Sequence, residues 1–193
     1  MTLLISGSNR AESATRHVTE RCADLLAELG EPSLLMDLRD LHTAPLDASM
    51  YEQGWSHPFV DRMEAEVRAH HRMVFVLPEY NGSYPGALKL LIDALSVRDY
   101  PNLFVGKCAA LVGTASGRAG NLLGITHFGA VLAHLGVTLM PRTLPMSLID
   151  SLIDEQGAWT KAEHVEPLRE HMVNYLGFAQ QWHCSELVEA VAK

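Results

Sequence analysis

Short apolar runs alternate along the chain with longer stretches in which apolar residues recur every three or four positions. That alternation predicts a parallel sheet whose strands are joined by crossover helices. Thr2 to Ser6 is a first strand, ended by Gly7. From about Ala14 to Leu29, the residues Val18, Cys22, Leu25, Leu26 and Leu29 fall on one face of a helix, which Gly30 and Pro32 stop. Ser33 to Leu38 is a second strand. Residues 39 to 60 contain Pro45, Gly54 and Pro58 without a clear period, so they form a loop or a broken helix. Phe59 to His71 is helical, with Val60, Met63 and Val67 as its stripe.

Met73 to Leu77 is dense enough in apolar residues for a central strand covered on both faces, and Pro78 ends it because proline cannot continue the ladder. Pro85 starts a helix that runs through Leu95. Cys108 to Val112 is a fourth strand, followed by a small-residue loop from Gly113 to Gly120. A helix from about Leu122 to Leu135 ends at Gly136, and Val137 to Met140 is a fifth strand. Lys161 to roughly His183 closes the chain as a helix. No repeat, low-complexity tract or linker interrupts the pattern. Residues 1–193 are therefore expected to be one domain, a doubly wound α/β layout with a five-stranded parallel sheet and helices on both faces.

Composition narrows the function. A chain of 193 residues, 48% hydrophobic and 20% charged, can bury a continuous core without disulfides or metals. Its formal net charge of −8 argues against a nucleic-acid partner, which needs clustered Lys and Arg. Any anion site must be local. The cysteines, Cys22, Cys108 and Cys184, are far apart and in no C-x-x-C pair, which fits reduced thiols packed in the interior. The first residues lack a signal-peptide core, and no stretch is apolar enough to span a membrane, so a cytoplasmic protein is expected. Ten histidines show no metal-ligand spacing; His127 with His134, and His164 with His171, are seven apart and suit ordinary surface or interface. No G-x-S-x-G elbow supports a serine nucleophile.

The loop after the first strand reads Gly7-Ser8-Asn9-Arg10-Ala11-Glu12-Ser13-Ala14-Thr15 and leads into a helix N-terminus. Free amides, hydroxyls, one arginine and the positive dipole end suit a phosphate monoester. The plainer reading is that Ser13 caps the helix and Arg10 is solvated. The loop is neither G-x-G-x-x-G nor a Walker loop. After the third strand comes Pro78-Glu79-Tyr80-Asn81-Gly82-Ser83-Tyr84-Pro85-Gly86-Ala87-Leu88-Lys89. A short loop punctuated by Pro78, Gly82 and Pro85 can hold backbone donors rigidly against a flat ring, with Tyr80 as a wall. Its plainer reading is a strand-to-helix turn.

This segment resembles the NADPH-dependent FMN reductase family, whose members carry Pro-Glu-Tyr-Asn-x-Ser-x-Pro-Gly-x-Leu-Lys at this place. Gly7, Ser8, Arg10, Ser13 and Thr15 match the family's phosphate loop in spacing. Asp37 to Leu41 and Val131 to Pro141 are similar to its second-strand ending and fifth-strand approach, so the likeness covers roughly residues 2 to 142. Two places depart from it. Leu90 stands where the family usually has Asn, and Ser116-Gly117-Arg118-Ala119-Gly120-Asn121 replaces a Ser-Gly-Gly stretch.

The resemblance implies a flavodoxin-like fold that binds FMN non-covalently and takes hydride from NADPH or NADH. Electrons would pass by a ping-pong scheme to a small acceptor such as a quinone, flavin, azo compound or metal oxyanion. The implied FMN contacts are Ser8, Arg10, Ser13, Ala14 and Thr15 in the first loop, Pro78 to Ser83 in the second, and Ser116, Gly117 and Arg118 in the third. Arg118 either stabilises charge on the reduced ring or faces solvent. The resemblance also implies a homodimer or dimer of dimers, with Met50, Tyr51 and Trp55 in an interface or lid. A flavodoxin-type electron carrier without NAD(P)H activity, and a binding module that has lost its cofactor, are the rival readings.

Overall fold

The apolar runs become six parallel strands: β1 (Thr2–Ser6), β2 (Ser33–Asp37), β3 (Arg72–Pro78), β4 (Cys108–Thr114), β5 (Thr138–Leu139) and β6 (Leu144–Met146). The computed structural model describes residues 1–41, 47–154 and 156–181; the expectations for Pro45, Cys184 and the helix end at His183 lie outside them. Strand order is β2-β1-β3-β4-β5, with β6 also pairing β4. The register runs Leu3 to Met73 and Val74 to Ala110 across the middle of the sheet. β4 is buried along its whole length, as a central strand sandwiched by helices must be.

The expected fifth strand, Val137 to Met140, is shortened to Thr138–Leu139, and a sixth strand that the pattern did not show follows it. β5 pairs with Cys108 and Ala109, and β6 with Val112 to Thr114. Pro141, which has no N–H to give, lies between the two strands, so the chain leaves the ladder and rejoins it at Leu144. His171 is only 3% exposed, contrary to the surface role its spacing suggested. Burial lowers its pKa to about 4, with a hydrogen bond to the Leu111 backbone partly opposing the shift.

Alternate side chains of the strands supply two cores. Leu4, Val74, Val76, Ala110 and Val112 meet α1 (Ala14–Glu28) and, later in the chain, α6 (Glu166–Gln180). Leu3, Ile5, Phe75 and Leu111 meet α2 (Pro58–Ala69), α3 (Gly86–Phe104) and α4 (Leu122–His134). α3 outruns its expected end at Leu95, because a second helical piece continues past a break at Asp99 (φ −161, ψ 64) with Pro101 in its first turn. α5 (Ile149–Leu152) is a single turn with too few residues to show a period. α6 starts later than expected, after a 3-10 turn at Ala162–His164, with Pro167 in its first turn.

Of the 39–60 region, the described residues before Pro58, where α2 begins, form short turns. Leu38–Asp40 and Ala48–Tyr51 are 3-10 turns, each opened by an aspartate that accepts a backbone N–H. Trp55 stacks on His57 and lies under the Arg98 guanidinium at 5.1 Å, while Arg98 pairs with Asp61 and Glu64. Among the described residues, no helix is long and apolar enough to cross a membrane.

Candidate functional site

The strand order changes direction between β1 and β3, and the loops leaving their carboxyl ends part to opposite faces. Ligands of open parallel sheets sit in that crevice. Gly7 makes the crossing possible: its N–H donates to the Val76 carbonyl at 2.8 Å, and a Cβ there would stand 3.0 Å from the same oxygen. The first loop thus starts pinned to β3.

Beyond Gly7 the Arg10 amide donates to the Ser8 hydroxyl at 3.3 Å, and the amides at the start of α1 stay open. Ser13 takes the N-cap position of α1 with extended backbone, yet its side chain makes no capping bond. Among the described residues, no acceptor stands against the amides of Ser13, Ala14 and Thr15. Ser8 and Thr15 are buried, and the Thr15 hydroxyl is held 2.9 Å from that of Thr114 on β4. Arg10 is exposed and pairs with no carboxylate among the described residues. Free amides at a helix N-terminus beside an unpaired guanidinium make an anion cradle. The capping reading of Ser13 is not what the structure adopts.

These residues surround a cleft of about 140 Å³. Ser8, Arg10, Ser13, Ala14 and Thr15 form one wall; Pro78, Glu79 and Tyr80 form a second; Ser116 belongs to a third. The Tyr80 hydroxyl is buried and has no hydrogen-bond partner among the described residues. Asn81, Gly82, Ser83, Gly117 and Arg118 lie outside this enclosed part.

The second loop uses its own donors. Tyr80 and Ser83 exchange backbone hydrogen bonds at 2.8 and 3.1 Å, closing a tight turn. Its two central residues, Asn81 (φ 52) and Gly82 (φ 75), are both left-handed, which is why Asn-Gly stands there. The Glu79 amide donates to the Thr114 carbonyl, and the Glu79 carboxylate accepts from the Gly82 amide. The expected row of amides aimed at a ring is therefore spent within the protein at Glu79, Tyr80, Gly82 and Ser83.

In the third loop, Ala115 donates to the Met146 carbonyl and Leu148 to that of Gly117, so β6 and the residues after it carry the loop. Ser116 to Ala119 are exposed, and Arg118 has no carboxylate partner among the described residues. Gly120 is obligatory, because a Cβ would meet the Pro145 carbonyl carbon at 2.7 Å. The sequence reading missed five residues of the cleft: Glu12, Thr114, Ala115, Ile149 and Asp150. Ile149 and Asp150 arrive on the one-turn α5, which gives no periodic signal. Glu12 and Asp150 also border a neighbouring cavity of about 580 Å³ with His17 and Asp154.

The donor set fits a phosphate monoester, while burial raises the Cys22 thiol to about 12 and leaves it inert as a nucleophile. Among the described residues, no group of three His, Cys, Asp or Glu side chains is placed to hold a metal. On the α3/α4 side a groove of about 690 Å³ opens between Lys89, Val97 and Tyr100 on one helix and Val131 and His134 on the other. The Tyr100 hydroxyl donates to the His134 carbonyl at one end of these helices, and Ser83 bonds His127 at 3.0 Å at the other.

Residues 1–149 match the family described as NADPH-dependent FMN reductase. An NAD(P)H-dependent FMN reductase of Pseudomonas aeruginosa is 33% identical over 157 residues, covering 79% of this chain and 80% of the relative. A 2-hydroxy-1,4-benzoquinone reductase of a Burkholderia species is 27% identical over 179 residues, covering 92% and 94%. In fold, the chain is similar to FerB, a flavoenzyme NAD(P)H:(acceptor) oxidoreductase of Paracoccus denitrificans (TM-score 0.76, 22% identity, 94% and 97% covered). It is also similar in fold to an archaeal flavodoxin (TM-score 0.61, 10% identity, 93% and 99% covered), as the flavodoxin-like expectation requires.

Proposed function

Because the chain belongs to the NADPH-dependent FMN reductase family, we propose that its β1/β3 crevice holds FMN and that the protein passes electrons from NAD(P)H to a small acceptor. The observation that carries this reading is the set of open amides at Ser13, Ala14 and Thr15 beside the unpaired Arg10. These groups hold the cofactor's phosphate, and the buried hydroxyls of Ser8 and Thr15 shape its seat. The turn at Pro78 to Ser83 and the loop at Ser116 to Arg118 border the ring. Bound FMN supplies hydride acceptance and release; the chain's residues bind and orient it and leave one side open.

The scheme is ping-pong, with donor and acceptor using the same open side in turn. Quinones are the acceptor class best supported, since relatives named quinone reductases come from Burkholderia, Pseudomonas putida and rice. Arg118 stabilises negative charge that develops during reduction, and Arg118→Ala slows flavin reduction while leaving FMN affinity nearly intact. The family match over residues 1–149 favours this enzyme over a flavodoxin-type electron carrier, which shares the fold alone.

We read the whole chain as one cytoplasmic FMN-binding unit that pairs through the α3/α4 groove as a dimer or dimer of dimers. Tyr51, 66% exposed, faces that groove, whereas Met50 is buried and Trp55 is clamped by Arg98. Sedimentation of the purified protein checks the assembly. The function is tested by mixing the FMN-loaded protein anaerobically with NADPH and with NADH. Rapid bleaching of the flavin band with either establishes the reductase and ranks the donors; bound FMN that stays oxidised with both establishes the carrier.

A further inference from the structure

We propose that Ser83 and His127 form the proton-delivering end of the acceptor subsite, and that this subsite takes a quinone-type carbonyl compound. The proposal rests on the proposed function, in which reduced FMN in the crevice passes its electrons to a small acceptor. The Ser83 hydroxyl lies 3.0 Å from His127 Nδ1, a contact between residues 44 apart in sequence.

Both partners are rigidly mounted. The Ser83 backbone is locked to Tyr80 in both directions, which leaves its hydroxyl as the group turned to other uses. α4 presses against the same residue: a Cβ at Gly124 would stand 2.8 Å from the Ser83 carbonyl carbon. The next residue on each side of the pair, Tyr84 and Phe128, meet edge-on at 5.1 Å, and Phe128 in turn packs on Phe75 at 5.0 Å. A hydrogen bond held by that much surrounding packing fixes the hydroxyl in space, which a surface Ser–His contact on a mobile loop would not do.

The chemistry of the surroundings suits a planar carbonyl compound. Leu123, one helical turn before His127 on the same face, is 60% exposed and offers an apolar surface beside a polar one. His127 is exposed, so its ring exchanges protons with water. Reduction of a quinone to a hydroquinone takes up one hydride equivalent and one proton. The hydride equivalent comes from NAD(P)H by way of the flavin. The proton comes from the His127 imidazolium: Nδ1–H passes to the Ser83 oxygen as the Ser83 hydroxyl proton passes to the acceptor oxygen, and His127 is reprotonated from solvent.

The test separates proton delivery from loop positioning. Holoenzyme reduced beforehand with dithionite is mixed anaerobically with 1,4-benzoquinone or with ferricyanide, which takes single electrons and no proton. His127→Gln and Ser83→Ala should each slow quinone reduction at least about tenfold more than they slow ferricyanide reduction. In the FMN-free protein, Ser83→Ala should shift the Nδ1 resonance of His127 in ring-nitrogen NMR. Equal losses with both acceptors, unchanged quinone rates, or an unmoved Nδ1 resonance would overturn the proposal. Dithionite keeps this result separate from the parent reading, which fails instead if NADPH and NADH both leave the flavin oxidised.

Discussion

The loops after β1 and after β3 sit side by side at the switch point of the sheet, but they treat their hydrogen-bond donors in opposite ways. In the first loop the amides of Ser13, Ala14 and Thr15 have no acceptor among the described residues, and the residue placed to cap them does not. In the second, Glu79, Tyr80, Gly82 and Ser83 all spend their amides within the protein. Unsatisfied donors at a helix N-terminus cost stability unless water or a ligand meets them, so they mark where binding energy is stored. A satisfied turn marks where shape is stored. On the proposed function the first loop grips the cofactor and the second is a rigid border.

The sharpest way to break that contrast is to fill the cradle from within. Ser13→Asp supplies a capping carboxylate to the same amides and places a negative charge where the phosphate belongs. FMN affinity should fall at least about 100-fold, while the FMN-free protein melts no lower than before. Calorimetry of apo and FMN-loaded forms checks both halves, since the melting gain from FMN should vanish with the affinity. Loss of stability with unchanged FMN binding would mean that the cradle is only a helix end.

The second loop should respond in stability instead. Gly82→Ala forces a side chain into a left-handed position and should cost about 1 kcal/mol in denaturant unfolding, with a smaller effect on FMN affinity. Glu79→Gln keeps an acceptor for the Gly82 amide, so FMN affinity should stay within about threefold. The smallest effect tests the cleft's electrostatics. Asp150 brings negative charge to the wall of an anion site, so Asp150→Asn should tighten FMN by about two- to threefold at low salt. That gain should shrink as salt is added, because the residue is exposed.

The contrast also shows what a sequence pattern can and cannot carry. The parallel sheet and its two-sided cores follow from apolar runs that need burial on both faces, and those were legible at β1, β3 and β4; the strand order was not. Nor was the sixth strand after Pro141, because a short run rejoining the ladder at Leu144 looks like loop. The Pro-Glu-Tyr-Asn segment was the more distinctive motif, yet part of its distinctiveness is turn chemistry: Asn81 and Gly82 are what a left-handed pair demands. The quieter first loop carries the open donors, and its Ser13 looked like any helix cap. Ile149 and Asp150 reach the cleft on one helical turn, too short to announce itself.

One titration tests the central claim most directly: binding of FMN and of riboflavin to the FMN-free protein, followed by quenching of flavin fluorescence. The two ligands share the ring and sugar chain and differ only in the phosphate. If the open amides of Ser13, Ala14 and Thr15 with Arg10 hold the cofactor, FMN should bind at least about 100-fold more tightly than riboflavin. Equal affinity for the two would show that the ring border does the holding and that the first loop is not a phosphate site.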